Sequence, residues 1–476
     1  MRGYRILKKS NRFGLVREVQ GAVSTERLGT LDRGVSPLIY GAGMAQAELT
    51  TRQYLVVRTV NTELSKALLR SLSTKSPVIY PLPKAWQAVV ASHGFAVARR
   101  RCSLAFACLV GALWIYGVLR IARQLCETLR ALSRARREGP GRHAYFTALI
   151  KSNLPQTRRD GISYDILSWY ANWKGRIAPL ESLCHSVKNA NVSHASGLRV
   201  QFVPGPIPPI ATLAEASRVL IWAIRAIFIS AVDLGRGRWW HALMLREAAL
   251  AAQTRGQESD KLAADYLFAN AAATYRPLWT YEATRRGSRI TFYANSVNDF
   301  WIWRGEDKYY SKISYEVNLT NWPLCLAWGE YQVDYLRRTT GDAQKIEIVG
   351  PIWYIDSATE LPELPIRSVA VFDIQPHRSS FYQSRCPSAP FGAPEEVNQF
   401  LMDIYSVLRD CGYAMVHKRK RHVGKMLHPK YAALVRSLSR SENYIAVDPD
   451  ISAWRVLERC QASITMTFTS TAVIAR

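Results

Sequence analysis

The chain has 476 residues, 48% of them apolar, enough for two or three domains with cores of their own. Its 63 Lys and Arg against 37 Asp and Glu give a net charge of +26, which does not suit a neutral soluble enzyme and calls for a polyanionic neighbour. The sequence holds no zinc-finger spacing, RNP motif or helix-turn-helix signature, so nucleic acid is set aside in favour of phosphorylated substrates and an anionic membrane surface.

Residues 1 to about 65 are weakly patterned. Ser76 to Tyr80 reads as a short strand, Pro81-Leu82-Pro83 opens a helix, and Phe95 to Ala98 is a candidate following strand. Cys102 to Leu119 then runs without a charge, between Arg99-Arg100-Arg101 and the pair Arg120 and Arg123. Such a run is just long enough to span a bilayer. Basic residues on both flanks set no orientation, however, and the apolar pattern continues through Ile121, Leu125, Leu129 and Leu132 among further arginines. Three readings stand: an interfacial helix, a buried helix and a single transmembrane helix, with the interfacial one favoured. Glu138-Gly139-Pro140-Gly141 is a breaker, residues 145 to 200 are mixed, and the proline-rich stretch from Val203 to Pro209 breaks the chain again. Leu213 to Ala252 reads as a long helix kinked at Gly235-Arg236-Gly237, with the apolar stretch Val219 to Val232 expected inside the fold.

From residue 264 strands and helices alternate. Strands are predicted at Tyr266 to Asn270, Ser288 to Ala294, Pro323 to Trp328 and Lys345 to Val349, with helices Pro277 to Arg286 and Tyr331 to Arg338 between them. Leu361-Pro362-Glu363-Leu364-Pro365 is the best linker. Beyond it come strands Ser368 to Phe372, Tyr413 to Val416, Tyr444 to Val447 and Ala462 to Met466, with helices Glu395 to Asp410, Pro429 to Leu438 and Ser452 to Cys460. Alternation of this kind means parallel sheets covered on both faces, so the fold class is α/β with two Rossmann-like domains facing across a cleft. The predicted divisions are a basic N-terminal region (1–142), a first Rossmann-like domain (143–360), a linker (361–366) and a second Rossmann-like domain (367–476). The second holds four strands where such domains usually carry five or six, so a further strand and a closing helix are expected to be missing from it.

Candidate chemistry gathers after the strands of the second domain, where open α/β sheets bind ligands. Lys418, Lys420 and Arg421 could neutralise a diphosphate, although a charge run is by itself an ordinary solvated loop. His428 and Pro429 open a helix; the imidazole could donate to a phosphate, and the bland alternative is a helix start. Thr469, Ser470 and Thr471 form a hydroxyl-rich loop between a strand and a helix, able to cradle an anion and equally able to act as a plain cap. The eight cysteines include no Cys-x-x-Cys pair and read as buried small hydrophobes in a reducing compartment. No metal constellation emerges from the histidines and no metal is expected, Asp448-Pro449-Asp450 being the one Asp-x-Asp pair, and Met1 to Arg5 lacks the apolar core of a signal peptide.

In order, Lys418-Arg419-Lys420-Arg421, His428-Pro429-Lys430-Tyr431 and Phe468-Thr469-Ser470-Thr471-Ala472 resemble the bacterial surface-polysaccharide biosynthesis proteins named for a Pro-Phe-Thr-Ser motif. Arg276 to Glu282, Val349 to Trp353 and Val369 to Asp373 add to the resemblance, which covers roughly Tyr266 to Arg476; Thr467 stands where the family name has Pro. More distantly the chain is similar to GT-B sialyltransferases and capsule Kdo transferases. The resemblance implies a metal-independent inverting glycosyltransferase with no cofactor. Its substrates would be a nucleotide sugar, with a CMP-linked acidic sugar favoured, and a lipid-linked or growing glycan, met at the cytoplasmic face of the bacterial inner membrane. It also implies a carboxylate base from the first domain, Glu282 or else Asp299, with Trp301 and Trp303 as candidates to stack on an acceptor sugar. The alternatives are another GT-B enzyme, such as a polyol-phosphate transferase or a nucleotide-sugar epimerase, and a non-catalytic membrane-associated scaffold of an export complex.

Overall fold

The computed structural model describes the chain except at residues 1, 13, 30, 32–33, 134–139, 157–162, 191, 270–272, 295, 297–302, 305–308, 311–316, 342–343, 354–356, 386–392, 467–469 and 476, with only the backbone described at 303–304 and 309–310. The weakly patterned start is helical: α1 Arg2–Lys9, α2 Leu15–Thr25, α3 Pro37–Tyr40, α4 Ala47–Thr59 and α5 Thr62–Thr74. Their apolar positions are too irregular to signal helices one at a time. They are legible only once packed, with Leu15, Val16, Val19, Leu55, Leu64 and Leu68 all in one core. After α6 (Lys84–Ser92), the two expected strands reduce to a single bridge between Val78 and Val97. The basic apolar segment is one helix, α7, Arg99–Leu132.

An eight-stranded sheet follows. Its strands are β1 His143–Thr147, β2 Ser182–His185, β3 His194–Ala195, β4 Leu198–Phe202, β5 Asp265–Phe268, β6 Arg289–Tyr293, β9 Leu324–Ala327 and β10 Lys345–Ile348; β7 (Trp303–Arg304) and β8 (Tyr309–Tyr310) form a separate antiparallel pair. The spatial order is β10-β9-β6-β5-β1-β2-β4-β3, parallel throughout except between β3 and β4. The strands β1 to β4 lie in the stretch that read as mixed. They are short, and β1 and β2 begin or end on histidine, which hides the apolar run that marks a buried strand. The predicted single helix over 213–252 is two, α9 Leu213–Gly235 and α10 Trp240–Gly256, because Gly237 at positive φ turns the chain.

Successive residues of the first sheet face opposite cores, as the two-residue period of a strand requires. Phe146, Leu183, Leu267 and Leu324 join α8 (Ile166–Asn172) on one side. Tyr145, Cys184, Tyr266, Phe268 and Cys325 face the helical layer on the other, which includes α10, α11 (Trp279–Arg285) and the residues of α2 to α7. One continuous core therefore joins the N-terminal helices to the first sheet, and the predicted division at residue 142 marks the start of the sheet, not a gap in packing.

The second sheet has four parallel strands, β11 Ser368–Phe372, β12 Ala414–Lys418, β13 Tyr444–Val447 and β14 Ala462–Thr465, in the order β13-β12-β11-β14. Val369, Val371 and Met415 face α14 (Pro394–Asp410) and α15 (Pro429–Leu438), while Ala370, Phe372 and Val416 face α16 (Ala453–Leu457). Helix α12 (Glu330–Thr340) precedes β10, the short α13 (Ser379–Ser384) follows β11, and α17 (Thr471–Ile474) follows β14. Predicted and observed boundaries in this half agree within two or three residues, with β12 running two residues further than expected. Seven cysteines are described and all are free; Cys108, Cys126 and Cys411 are exposed, against the expectation that they would be buried.

Candidate functional site

Register sets the site. Phe372 lies opposite both Lys418 and Thr465, so the carboxyl ends of β11, β12 and β14 are level, with β11 in the middle. The loops after β11 and β12 are then zipped together: His428 N–H donates to Pro376 O at 3.0 Å, Arg378 N–H to Met426 O at 2.8 Å, and Arg421 N–H to Gln375 Oε1 at 2.7 Å. His428 is the residue before α15, and Pro429 is its first residue, where a missing N–H costs nothing. The histidine is 8% exposed, and its Nδ1 is buried without a partner among the described residues. Burial pushes its pKa down, with Glu395 opposing the shift, so the ring is held neutral.

Asp373, immediately after β11, is the residue that sequence reasoning used only as part of a motif. Its Oδ2 accepts a short hydrogen bond from Tyr431 and lies 3.1 Å from His417 Nε2, which is not aligned to donate. His417 Nδ1 in turn meets Tyr444 OH at 2.5 Å. Burial and the Asp373 carboxylate both push the Tyr431 and Tyr444 hydroxyls up, which keeps them as hydrogen-bond donors. The available signal was an acidic residue directly after a fully buried strand, together with the Tyr of the His-Pro-Lys-Tyr motif.

Buried polar atoms with no hydrogen-bond partner among the described residues collect around this point: Asp373 Oδ1, His377 Nδ1, His417 Nε2, Arg419 Nε and His428 Nδ1. Each is costly to leave unpaired. Beside them a hollow of about 390 Å³ is lined by Arg378, Arg419, Lys425, Pro429, Tyr431 and Arg436 among others. Four of those six side chains are cationic, so the hollow suits an anion.

The predicted basic cluster is split by β12. Lys418 belongs to the strand and is buried, its Nζ donating to Arg419 O at 3.1 Å and Pro449 O at 3.0 Å. Burial lowers its pKa to about 8, against the pull of Asp450, Asp448 and Asp373. Lys420 and Arg421 are exposed on the loop. His422, Asp448 and Asp450 bring their ligand atoms within 4.8 Å of one another at the surface. The Lys418 ammonium already supplies positive charge to both aspartates.

Ser470 closes the other side. Its Oγ lies 3.1 Å from Ser296 Oγ in the loop after β6, so the carboxyl ends of the two sheets face each other at this seam. Thr471 begins α17, whose Val473 and Ile474 pack against the first-sheet core. Further bonds tie the halves: Tyr164 OH to Glu458 Oε2 at 2.5 Å, and Arg455 Nη1 to Thr359 O at 2.9 Å. Thr469, Asp299 and Trp301 lie outside the described residues, and of Trp303 only the backbone is described.

Glu282 is placed elsewhere. It sits on α11, 1% exposed, with Oε1 accepting from Arg255 Nε at 3.0 Å and Ala42 N–H at 2.8 Å and Oε2 from Arg285 Nε at 3.2 Å. A carboxylate bonded in this way ties the turn Gly41–Gln46 after α3 to α10 and α11, buried in the first-domain core. On the first-sheet side of the seam a polar hollow of about 370 Å³ is lined by Gln156, Ser163, Ser168, Asn172, His194 and Trp353 among others.

The family model of polysaccharide biosynthesis PFTS motif proteins matches residues 222–476, which takes in strands β5 to β14 and, in the site above, Ser296, Asp373, Lys418, His428, Tyr431 and Ser470, but not the lining residues 156–194 of the polar hollow. The chain belongs to that family, and its role is in polysaccharide biosynthesis. No curated protein matches the chain.

Proposed function

We propose that the chain is a metal-independent, inverting glycosyltransferase of the GT-B kind, with the second sheet binding a nucleotide sugar and the first presenting a lipid-linked or growing glycan. The observation that carries this reading is the gathering, beside the level ends of β11 and β12, of buried polar atoms with no hydrogen-bond partner among the described residues, with His428 at the start of α15 and Ser470 across the seam. A neutral His428 donates a hydrogen bond to the donor phosphate; the arriving negative charge raises its pKa and tightens that bond. Ser470 and Thr471 add hydroxyl donors. Exposed Lys420 and Arg421 draw the anion in.

In the transfer, an acceptor hydroxyl attacks the anomeric carbon, the bond from that carbon to the phosphate oxygen breaks, and the nucleotide leaves with the bonding pair. The hydroxyl proton passes to a carboxylate from the first domain. Glu282 is occupied by three donors in the first-domain core, so Asp299, three residues beyond Ser296 in sequence, is the carboxylate we assign to that role. A CMP-linked acidic sugar is the favoured donor, and Trp353 with its polar neighbours offers the acceptor sugar an aromatic face and hydrogen bonds.

Calorimetric titration of the purified chain with CMP, CDP and UDP tests this. Binding of one nucleotide, weakened by His428→Ala and by the Ser470→Ala/Thr471→Ala pair, is expected. Absence of binding by all three would overturn the enzyme reading in favour of a non-catalytic scaffold.

A further inference from the structure

Helix α9 read as internal from its sequence, but half of it is bare. Leu220, Ile221, Ile224 and Phe228 are exposed, Ile224 at 62% and Phe228 at 69%. Their spacing puts them on one side of the helix, while Val219, Trp222, Ala223, Ala226 and Ser230 form the buried side. Helix α7 repeats the pattern. Leu104 (67% exposed), Cys108, Ala112, Ile115 and Leu119 (61%) fall on one side; Cys102, Phe106, Val110, Gly117, Ile121, Gln124 and Thr128 fall on the other.

Both buried sides rest on α10, so both bare sides point away from it and share one surface. Trp114 Nε1 donates to Ser230 Oγ at 2.9 Å, which staples α7 to α9. Gly117 allows the close approach of α7 to α10, since a Cβ there would meet Leu245 Cβ at 2.8 Å. Contact with α10 continues from the Phe106–Trp239 ring pair to the Arg120–Gln253 hydrogen bond. A helix attached to the protein core along its length, with Gln124 and Thr128 on its inner side, cannot leave that core to cross a bilayer alone.

The charges around the bare surface are of one sign. Arg99, Arg100, Arg101, Arg123 and Arg130 on α7, Arg218 and Arg225 on α9 and Arg236 just after it are exposed. None of the acids of these helices is exposed: Glu127 pairs with Arg123, Glu215 is buried, and Asp233 is bonded to His241. An apolar stripe framed by arginine, with no exposed carboxylate among the described residues of either helix, complements an anionic lipid surface.

We propose that α7 and α9 together form a docking platform that seats the protein on one leaflet of an anionic membrane, apolar side chains among the acyl chains and arginines at the headgroups. It deepens the membrane-face part of the reading above and is independent of the transfer chemistry, because its test reads lipid binding alone. Nucleotide binding can fail while docking holds, and the reverse.

The test is co-sedimentation of the full chain with phosphatidylcholine vesicles that contain or lack phosphatidylglycerol. Binding to the anionic vesicles, released by high salt, is expected. Leu104→Glu/Ile115→Glu on α7 and Ile224→Glu/Phe228→Glu on α9 should each weaken binding by about tenfold or more, without changing the unfolding temperature, since none of the four side chains is in the core. Four outcomes would overturn the proposal: equal binding to neutral vesicles; full binding by the α9 variant; retention of the protein in membranes after an alkaline wash, which means a spanning helix; or a dimer abolished by the same substitutions with no vesicle binding, which means that a second copy covers the surface.

Discussion

Asp265 and Asp373 are both buried carboxylates at the end of a central strand, one in each sheet, and they are treated in opposite ways. Asp265 opens β5, and every oxygen is occupied: Oδ2 accepts from Tyr170 OH at 2.7 Å and from both Nε and Nη2 of Arg289, and Oδ1 accepts from Thr291 at 2.8 Å. Asp373 follows β11; one oxygen is held by Tyr431 and the other has no partner among the described residues. The first lies at the amino end of its sheet, where the fold must close itself. The second lies at the carboxyl end, where parallel sheets keep their ligands. Complete satisfaction marks structure, and a collected deficit marks a site. Glu282 falls on the Asp265 side of that divide, and His428 on the Asp373 side.

The widest separation between the two classes should appear in stability. Asp265→Ala or Glu282→Ala leaves the half-buried Arg289 or Arg255 without its carboxylate and is expected to cost about 3 kcal/mol of unfolding free energy, with nucleotide affinity of the folded fraction unchanged. Denaturant unfolding measures it. Asp373→Ala should cost clearly less, and an equal loss would erase the distinction.

Lys418 gives a pH signature of the second sheet. Its folded pKa of about 8 lies below the ordinary 10.5, so between those values the unfolded chain holds more protons than the folded one. Stability therefore rises with pH across that window, by up to about 3 kcal/mol from this group, and below pH 8 the cost of its buried charge is fully present. Lys418→Met should flatten the slope. Saturating nucleotide should move the window upward if Lys418 helps to hold the donor; an unmoved window confines the residue to a structural role.

In affinity, His428→Ala and the Ser470→Ala/Thr471→Ala pair are each expected to lose about 1.5–3 kcal/mol per charged hydrogen bond, with the unfolding temperature unchanged. Loss of stability without loss of affinity would make them caps.

How far the sequence showed this depends on burial. In the second sheet each strand is a short apolar run between turns, and Val369-Ala370-Val371-Phe372 can hardly be read otherwise. In the first sheet Ser182-Leu183-Cys184-His185 is equally buried, but its polar ends are satisfied by tertiary bonds such as Ser182 Oγ to Pro140 O at 2.7 Å, which no local pattern reveals. The bare side of α9 was hidden for a related reason: an apolar residue reads the same whether it faces a core or a surface. At the site, the His-Pro pair and the Ser-Thr pair were legible as motifs. That Lys418 turns under Pro449, and that Asp373 sits unfinished between the motifs, follows from the register of β11 against β12.

The finest test concerns Tyr431. Its hydroxyl bonds Asp373 from the first turn of α15, three residues after His428, so it fixes both where α15 begins and how the carboxylate is turned. Tyr431→Phe keeps the ring in its pocket and removes one hydrogen bond, which should cost about 1 kcal/mol of stability. The effect on nucleotide affinity should be smaller than that of His428→Ala, because the tyrosine acts through the position of the helix. A Tyr431→Phe/Asp373→Asn double-mutant cycle, read in stability, should show coupling, since the two side chains share one bond. If Tyr431→Phe instead lowers affinity as much as His428→Ala and leaves stability alone, the hydroxyl reaches the ligand itself. Asp373 would then be its orienting partner, and the unpaired Oδ1 would owe nothing to the anchoring of α15.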